Sequence, residues 1–167
     1  MKETPREYTT RILSYADGKE ALEVQAATAG KLARLIEGVP TEKLRARPAP
    51  EKWSVGEILA HLADGEIVGG FRMRLILGSP GTPLAAYDQD NWVTSGHYAR
   101  RDPRKSLEQF RVLREANLAL LESLDREQWS HYGMHAERGK ETIEHIARMF
   151  AGHDINHLQQ VERILER

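Results

Sequence analysis

From Ile143 to Ile164 apolar residues recur at helical spacing (Ile143, Ile146, Phe150, Val161 and Ile164), and His153, His157 and Gln160 fall on the same stripe. A helix of that length with one apolar face has to bury it against other elements, so this part of the chain must fold as packed helices. Two imidazoles four residues apart on one helix face aim at a common point, the spacing by which a helix supplies two metal ligands. An inward-facing imidazole needs a partner. A hydrogen bond from the core satisfies it, and so does a metal ion.

Three further segments carry the same period. The first runs from Gly18 to Glu37 with Leu22, Ala26, Ala29, Leu32, Leu35 and Ile36 on one side, and Gly38 and Pro40 stop it. The second opens at Ser54-Val55-Gly56-Glu57, a capping box, and continues through Ile58, Leu59, Leu62, Phe71, Leu75 and Ile76 to about Leu77. Gly65, Gly69 and Gly70 weaken its middle and permit close approach of a neighbour. The third begins at Asp102-Pro103 and carries Leu107, Phe110, Leu113, Leu120, Leu121 and Leu124. The fourth is expected from near Gly139 to the end. Gly78 to Arg101, with Tyr87, Trp92 and Tyr98, is too long for a tight turn. No period-2 strand pattern is visible. The expectation is an all-α fold, one domain over 1–167, a four-helix bundle with a long crossover between the second and third long helices.

Acids and bases nearly balance at a net charge of −1, which argues against a nucleic-acid binder. No apolar run approaches the ~20 residues that span a membrane. Met1 to Arg11 is polar and lacks the apolar core of a secretory signal, so a cytoplasmic location is expected. With no cysteine, any metal must be held by nitrogen and oxygen, and any thiol must come from outside the chain.

A metal site needs a third donor from elsewhere, and His61, just inside the second long helix along its apolar margin, is the best placed. Neutral imidazoles suit zinc, nickel, iron or copper. His131 and His135 form a rival pair four apart, but Gly133 between them points to solvated loop histidines. His145 lies two turns before His153, ~12 Å along the axis, and cannot share an ion with His157. His97 sits in the crossover, where nothing forces a role on it. Asp88 and Asp90 do not make a calcium loop, because Val93 and Ala99 occupy the required glycine and glutamate positions.

Lys52-Trp53-Ser54-Val55-Gly56-Glu57-Ile58-Leu59-Ala60-His61-Leu62-Ala63-Asp64 resembles the start of the second helix of the DinB/YfiT-like metalloenzymes. Glu66, Arg72 and Tyr87-Asp88-Gln89-Asp90-Asn91-Trp92 resemble the YfiT-type branch, and His153 and His157 match that family's helix-four ligand pair. The resemblance implies a divalent ion on His61, His153 and His157, zinc or nickel ahead of iron or manganese, with open coordination positions. It implies, often, a homodimer. It also implies a small-molecule substrate and two chemistries: S-transfer with a low-molecular-weight thiol as cosubstrate, towards which the Tyr-Asp…Trp loop leans, or hydrolysis. A binding bundle without turnover is the third reading.

Helical position then nominates residues around the ion. Glu57 and Asp64 lie one turn either side of His61 and can accept a ring N–H, although the capping box already employs Glu57. Gln160 follows His157 by three and can orient a water or substrate. Asn117 breaks the third helix's stripe, either lining a pocket or making a structural hydrogen bond. Arg72 attracts a substrate carboxylate, or pairs with Glu66, or meets a second copy of the chain. Tyr87, Asp88 and Trp92 form a wall or lid over the ion, or simply anchor a long loop.

Overall fold

A computed structural model describes residues 3–166; Met1, Lys2 and Arg167, at the ends of the expected domain, lie outside the described residues. The helices are α1 (Pro5–Tyr15), α2 (Ala21–Ile36), α3 (Thr41–Arg45), α4 (Val55–Gly78), α5 (Gln89–Ser95), α6 (Pro103–Glu122), α7 (Arg126–Ser130) and α8 (Ile143–Leu165). The strands are β1 (Pro83–Leu84), β2 (Tyr132–His135) and β3 (Gly139–Thr142). The long helices α2, α4, α6 and α8 form the four-helix bundle. α2 packs on α6 and α8, and α4 packs on the same two. None of the described helices is long and apolar enough to cross a membrane.

The helix starts follow from their caps. The Glu57 amide donates to Ser54 Oγ at 3.2 Å and the Ser54 amide to Glu57 Oε2 at 2.8 Å, closing the capping box of α4. Asp102 Oδ1 accepts from the amides of Arg104 and Lys105 at the start of α6, with Pro103 in the first turn. α8 begins at the Thr142 cap, three residues later than the sequence suggested, because Gly139–Thr142 is spent as a strand.

Two apolar clusters fill the bundle. One joins Leu32, Ile36, Leu59, Leu62, Phe110, Leu158 and Val161; the other joins Met73, Ile76, Leu121, Ile143, Ile146 and Ala147. Between them, at mid-height of all four long helices, lies a polar layer. Gln25 and Thr28 come from α2, Glu66 from α4, Arg114 and Asn117 from α6, and Asp154 from α8, all buried. Arg114 is its hub. Its guanidinium grips Asp154 with both Nη atoms, reaches Glu66 Oε1 at 2.7 Å and donates to the Gln25 carbonyl at 3.0 Å. Asn117 Nδ2 donates to Glu66 Oε2 at 3.0 Å, and its Oδ1 accepts from Arg74 at 3.1 Å. At Gly70 an added Cβ would strike the Asn117 amide, so α4 and α6 approach as closely as they do only because that position is glycine.

Three features depart from the sequence reading. α1 forms an extra helix against α8, and Gly152 lets the Ile12 carbonyl rest on α8, where an added Cβ would collide with it. The crossover is structured, holding β1, α5 and a 3-10 turn at Tyr98–Arg100. A small sheet exists: β1 runs parallel to β2, Leu84 opposite His135, and β2 antiparallel to β3, Tyr132 opposite Thr142. β2 and β3 carry no apolar alternation because Gly133, His135 and Glu141 occupy their buried positions.

Candidate metal centre

The bundle brings together His61 of α4 and His153 and His157 of α8. Among the described residues this is the one group of three or more His, Cys, Asp or Glu whose ligand atoms converge, all within 4.8 Å of one another. His61 Nε2 lies 3.0 Å from His153 Nε2, which lies 3.1 Å from His157 Nε2. Imidazole nitrogens ~2.0–2.1 Å from one ion sit about 2.9 Å apart at right angles and about 3.4 Å apart at the tetrahedral angle. Both of these nitrogen–nitrogen spacings, each to His153, fall in that range.

The protonation states fit a cation. Burial holds His61 and His153 well below the ordinary histidine range, and it takes His157 down to about 4. The His157 Nδ1–H donates to Gln160 Oε1 at 3.0 Å, which leaves Nε2 as a lone pair facing the other two rings. A neutral ring satisfies one such contact by turning an N–H to a neighbour's lone pair, whereas a metal ion satisfies the lone pairs of all three converging rings together. The donor set therefore suits a divalent ion.

Trp53 covers this centre. Its ring lies 5.0 Å from that of His61 and stacks parallel to His157 at 6.4 Å. The indole sits immediately before the Ser54 cap, the staple position that fixes the path of the chain into α4. Two cavities reach the cluster. The larger, about 700 Å³, touches His61 and His153 and runs along α4 to Arg72; the smaller, about 370 Å³, touches His157 and Gln160. Tyr8 of α1 lines both, and burial raises its phenol to about 12, so it stays protonated at neutral pH. The sequence reading assigned Tyr8 nothing, although Thr4-Pro5-Arg6-Glu7 carries the capping signal of the helix that presents it.

The other nominated residues separate. Gln160 meets the His157 ring. Tyr87, Asp88 and Arg72 line the larger cavity, and Asp88 also caps α5. Trp92 packs against Tyr87, ring centroids 4.5 Å apart, and against the cluster of Ala60, Val93 and Tyr98. Asp64 accepts from Tyr98 Oη at 2.7 Å and Arg101 Nη1 at 2.9 Å, tying the crossover to α4 rather than orienting His61. Asn117 belongs to the polar layer, its structural alternative. Glu57 is taken up by its cap and by Arg47, whose Nε donates at 2.9 Å. Arg72 does not pair with Glu66, since six residues along a helix point to different faces and Glu66 is held by Arg114. His135 is not a solvated loop residue: it is buried on β2, where its Nδ1 accepts from the amides of Glu137 and Arg138.

A stretch of 148 residues is 24% identical to YfiT of Bacillus subtilis (strain 168), covering 87% of this chain and 83% of that protein. A stretch of 115 residues is 25% identical to BH0277 of Halalkalibacterium halodurans, covering 69% and 67% respectively. Both relatives carry the provisional name of metal-dependent hydrolase. The solved structure of YfiT, reported as a probable metal-dependent hydrolase with an unusual four-helix bundle topology, matches with a TM-score of 0.81 at 21% identity. That match covers 99% of this chain and 90% of the other. The family profile of the DinB superfamily matches residues 26–161, a span holding α4, all three converging histidines and the caps that place them, and the chain belongs to that superfamily.

Proposed function

We propose that the chain is a metal-dependent enzyme acting on a small molecule, with one divalent ion on His61, His153 and His157 and hydrolysis as its chemistry. The observation that carries this reading is the convergence of three neutral imidazoles, two buried and one half-buried, at the end of a cavity of about 700 Å³. The provisional names of the two relatives point the same way. Bound there, a divalent ion supplies Lewis acidity and makes water or a thiol a better nucleophile near neutral pH. The protein's part is to hold and shield. Gln160 fixes the His157 ring with Nε2 outward, and Trp53 packs over two of the rings and keeps bulk water from that side. Tyr8, protonated at the junction of the two cavities, offers an O–H to an oxygen that gains negative charge.

Thiol-dependent S-transfer is the second reading. Two cavities reaching the cluster from the His153 side and the His157 side leave room for two reactants, an electrophile and a thiol cosubstrate. The test is turnover of generic ester, amide and electrophile panels by zinc- and nickel-loaded protein, with and without low-molecular-weight thiols. Product formation without thiol supports hydrolysis, and product formation strictly dependent on thiol supports transfer. Metal-loaded protein inert in both arms refutes an enzyme and leaves a binding bundle.

A further inference from the structure

The larger cavity has a second chemical end. Along α4, His61, Gly65, Gly69 and Arg72 follow one another at three- and four-residue steps and share a face on the cavity. His61 and Arg72 are therefore separated by roughly 16 Å of helix rise. Between them Gly65 presents no side chain, and a Cβ built there meets nothing within 4 Å. At Gly69 the Phe150 ring lies where a Cβ would be, so the cavity is a trough with imidazoles at one end, an aromatic ring along its length and a guanidinium at the other end.

Two cations line that far end, and they differ. Arg138 is spent on Glu141, with Nε at 2.6 Å and Nη2 at 3.1 Å from the carboxylate oxygens. Arg72 has no carboxylate partner among the described residues. Its Nη2 donates to the Ala85 carbonyl, and its guanidinium lies over the Tyr87 ring, 5.8 Å from the centroid. These contacts hold the group in place without neutralising it.

The neighbour of Arg72 sharpens the point. His135 Nε2 lies 3.3 Å from Arg72 Nη2. The His135 Nδ1 already accepts two amides, from Glu137 at 3.2 Å and Arg138 at 3.4 Å, so in the neutral ring the proton sits on Nε2. The contact thus sets donor against donor. An acceptor in the cavity that draws the Arg72 guanidinium towards it relieves that contact and makes a charge-assisted pair. Burial and the nearby Arg138 both weaken the protonation of Arg72, which is the mark of a positive charge lacking its counter-ion.

We propose that Arg72 is the anchor for a carboxylate at the end of the substrate opposite the three histidines. The substrate class is then a small carboxylic acid whose reacting group lies across the trough from its carboxylate. One guanidinium without a carboxylate partner matches a monoanion; a phosphate dianion would call on Arg138 as well, and Glu141 already holds that residue. The assignment of the carboxylate to a substrate rests on the metal-dependent reading above.

The probe is suberic acid monohydroxamate, whose hydroxamate chelates the ion while its carboxylate lies at the other end of an extended chain. Its ω-carboxamide counterpart is the control. Calorimetry on zinc-loaded wild-type protein is expected to show the carboxylate binding at least about 10-fold more tightly than the carboxamide, the scale of a charged hydrogen-bonded pair. In Arg72→Ala the ratio falls to within about 2-fold, with zinc content unchanged; Arg72→Lys, which keeps the charge without the fork, falls between. Equal binding of the two probes by wild type, or a ratio that survives in Arg72→Ala, overturns the proposal. If Arg72→Ala fails to fold, the wild-type ratio and Arg72→Lys decide. Protein that takes up no zinc sinks the metal reading separately. The anchor is then judged on the metal-free protein with suberate: weaker binding in Arg72→Lys than in wild type supports it, and equal binding overturns it.

Discussion

Replacing Arg114 by methionine keeps the length and apolar stem of the side chain but removes the one cation in the polar layer of the bundle. Arg114 and Glu66 are each 2% exposed and Asp154 is fully buried. Burial alone pulls the Arg114 guanidinium towards deprotonation, and the two carboxylates more than reverse it, holding it charged. Burial likewise pushes Asp154 upward, and Arg114 is what draws it back. Without the arginine, two carboxylates share a dry layer with no counter-ion. Breaking a buried pair by deleting one partner costs about 3–5 kcal/mol, and here one deletion strands two acids, so the upper half of that range is expected. In a domain of this size that is a large part of the ~5–15 kcal/mol that holds it folded. The sign of the pH dependence follows. In the variant Asp154, already pushed up by burial, loses the cation that draws it down, so the folded state binds more protons and the penalty shrinks as the pH falls. Urea unfolding followed by helical circular dichroism at about pH 8 and about pH 5 measures both. The triple variant Arg114→Met, Glu66→Gln, Asp154→Asn is expected to recover at least half of the loss. A penalty below about 1 kcal/mol at the higher pH, the size of a surface pair, or one that does not diminish at the lower pH, would refute the reasoning.

Other consequences are equally direct. The metal-free protein is expected to lose stability as the pH drops from about 6.5 to about 4, because the unfolded chain protonates histidines that burial keeps neutral in the fold. His157 alone, brought down to about 4, contributes on the order of 3 kcal/mol across that window; flat denaturation midpoints over the range would contradict it. Gly152→Ala forces a methyl group against the Ile12 carbonyl and is expected to cost about 1–3 kcal/mol and to free α1 for proteolysis, leaving α4 and α6 protected. Gln160→Leu, which removes the acceptor for His157 Nδ1–H, is expected to weaken zinc binding about 10–100-fold by competition titration with no loss of helix.

The parts of the fold that show in the sequence are those whose local and tertiary demands agree. Ser54 and Glu57 start α4 and Asp102 starts α6 because caps act within one turn, and the stripes of α2, α6 and α8 face the core their period indicates. The pairing of His61 with the α8 histidines was legible for a related reason: both lie on inward faces near cluster residues that meet. What stayed hidden depends on partners far along the chain. Arg114 and Asp154 carry no local signal, and Glu66 suggested a pairing with Arg72; the packing of α4, α6 and α8 is what reveals that the three satisfy one another. The sheet was invisible because β1 is only two residues long and the buried positions of β2 and β3 are glycine and polar residues. The mistaken reading of His135 followed from that, since a histidine in an unrecognised strand looks like one in a loop. Tyr8 was missed because α1, with Ile12 its one buried residue, has too little stripe to register even though its cap is well formed.

The central claim is that His61, His153 and His157 hold one divalent ion. Elemental analysis of protein purified without an affinity tag and reconstituted separately with zinc, nickel, iron and manganese tests it most directly. The account predicts close to one ion per chain for at least one of these metals, and loss of that ion in each of His61→Ala, His153→Ala and His157→Ala while helix content is kept. No metal after reconstitution, or metal retained in all three variants, would contradict it.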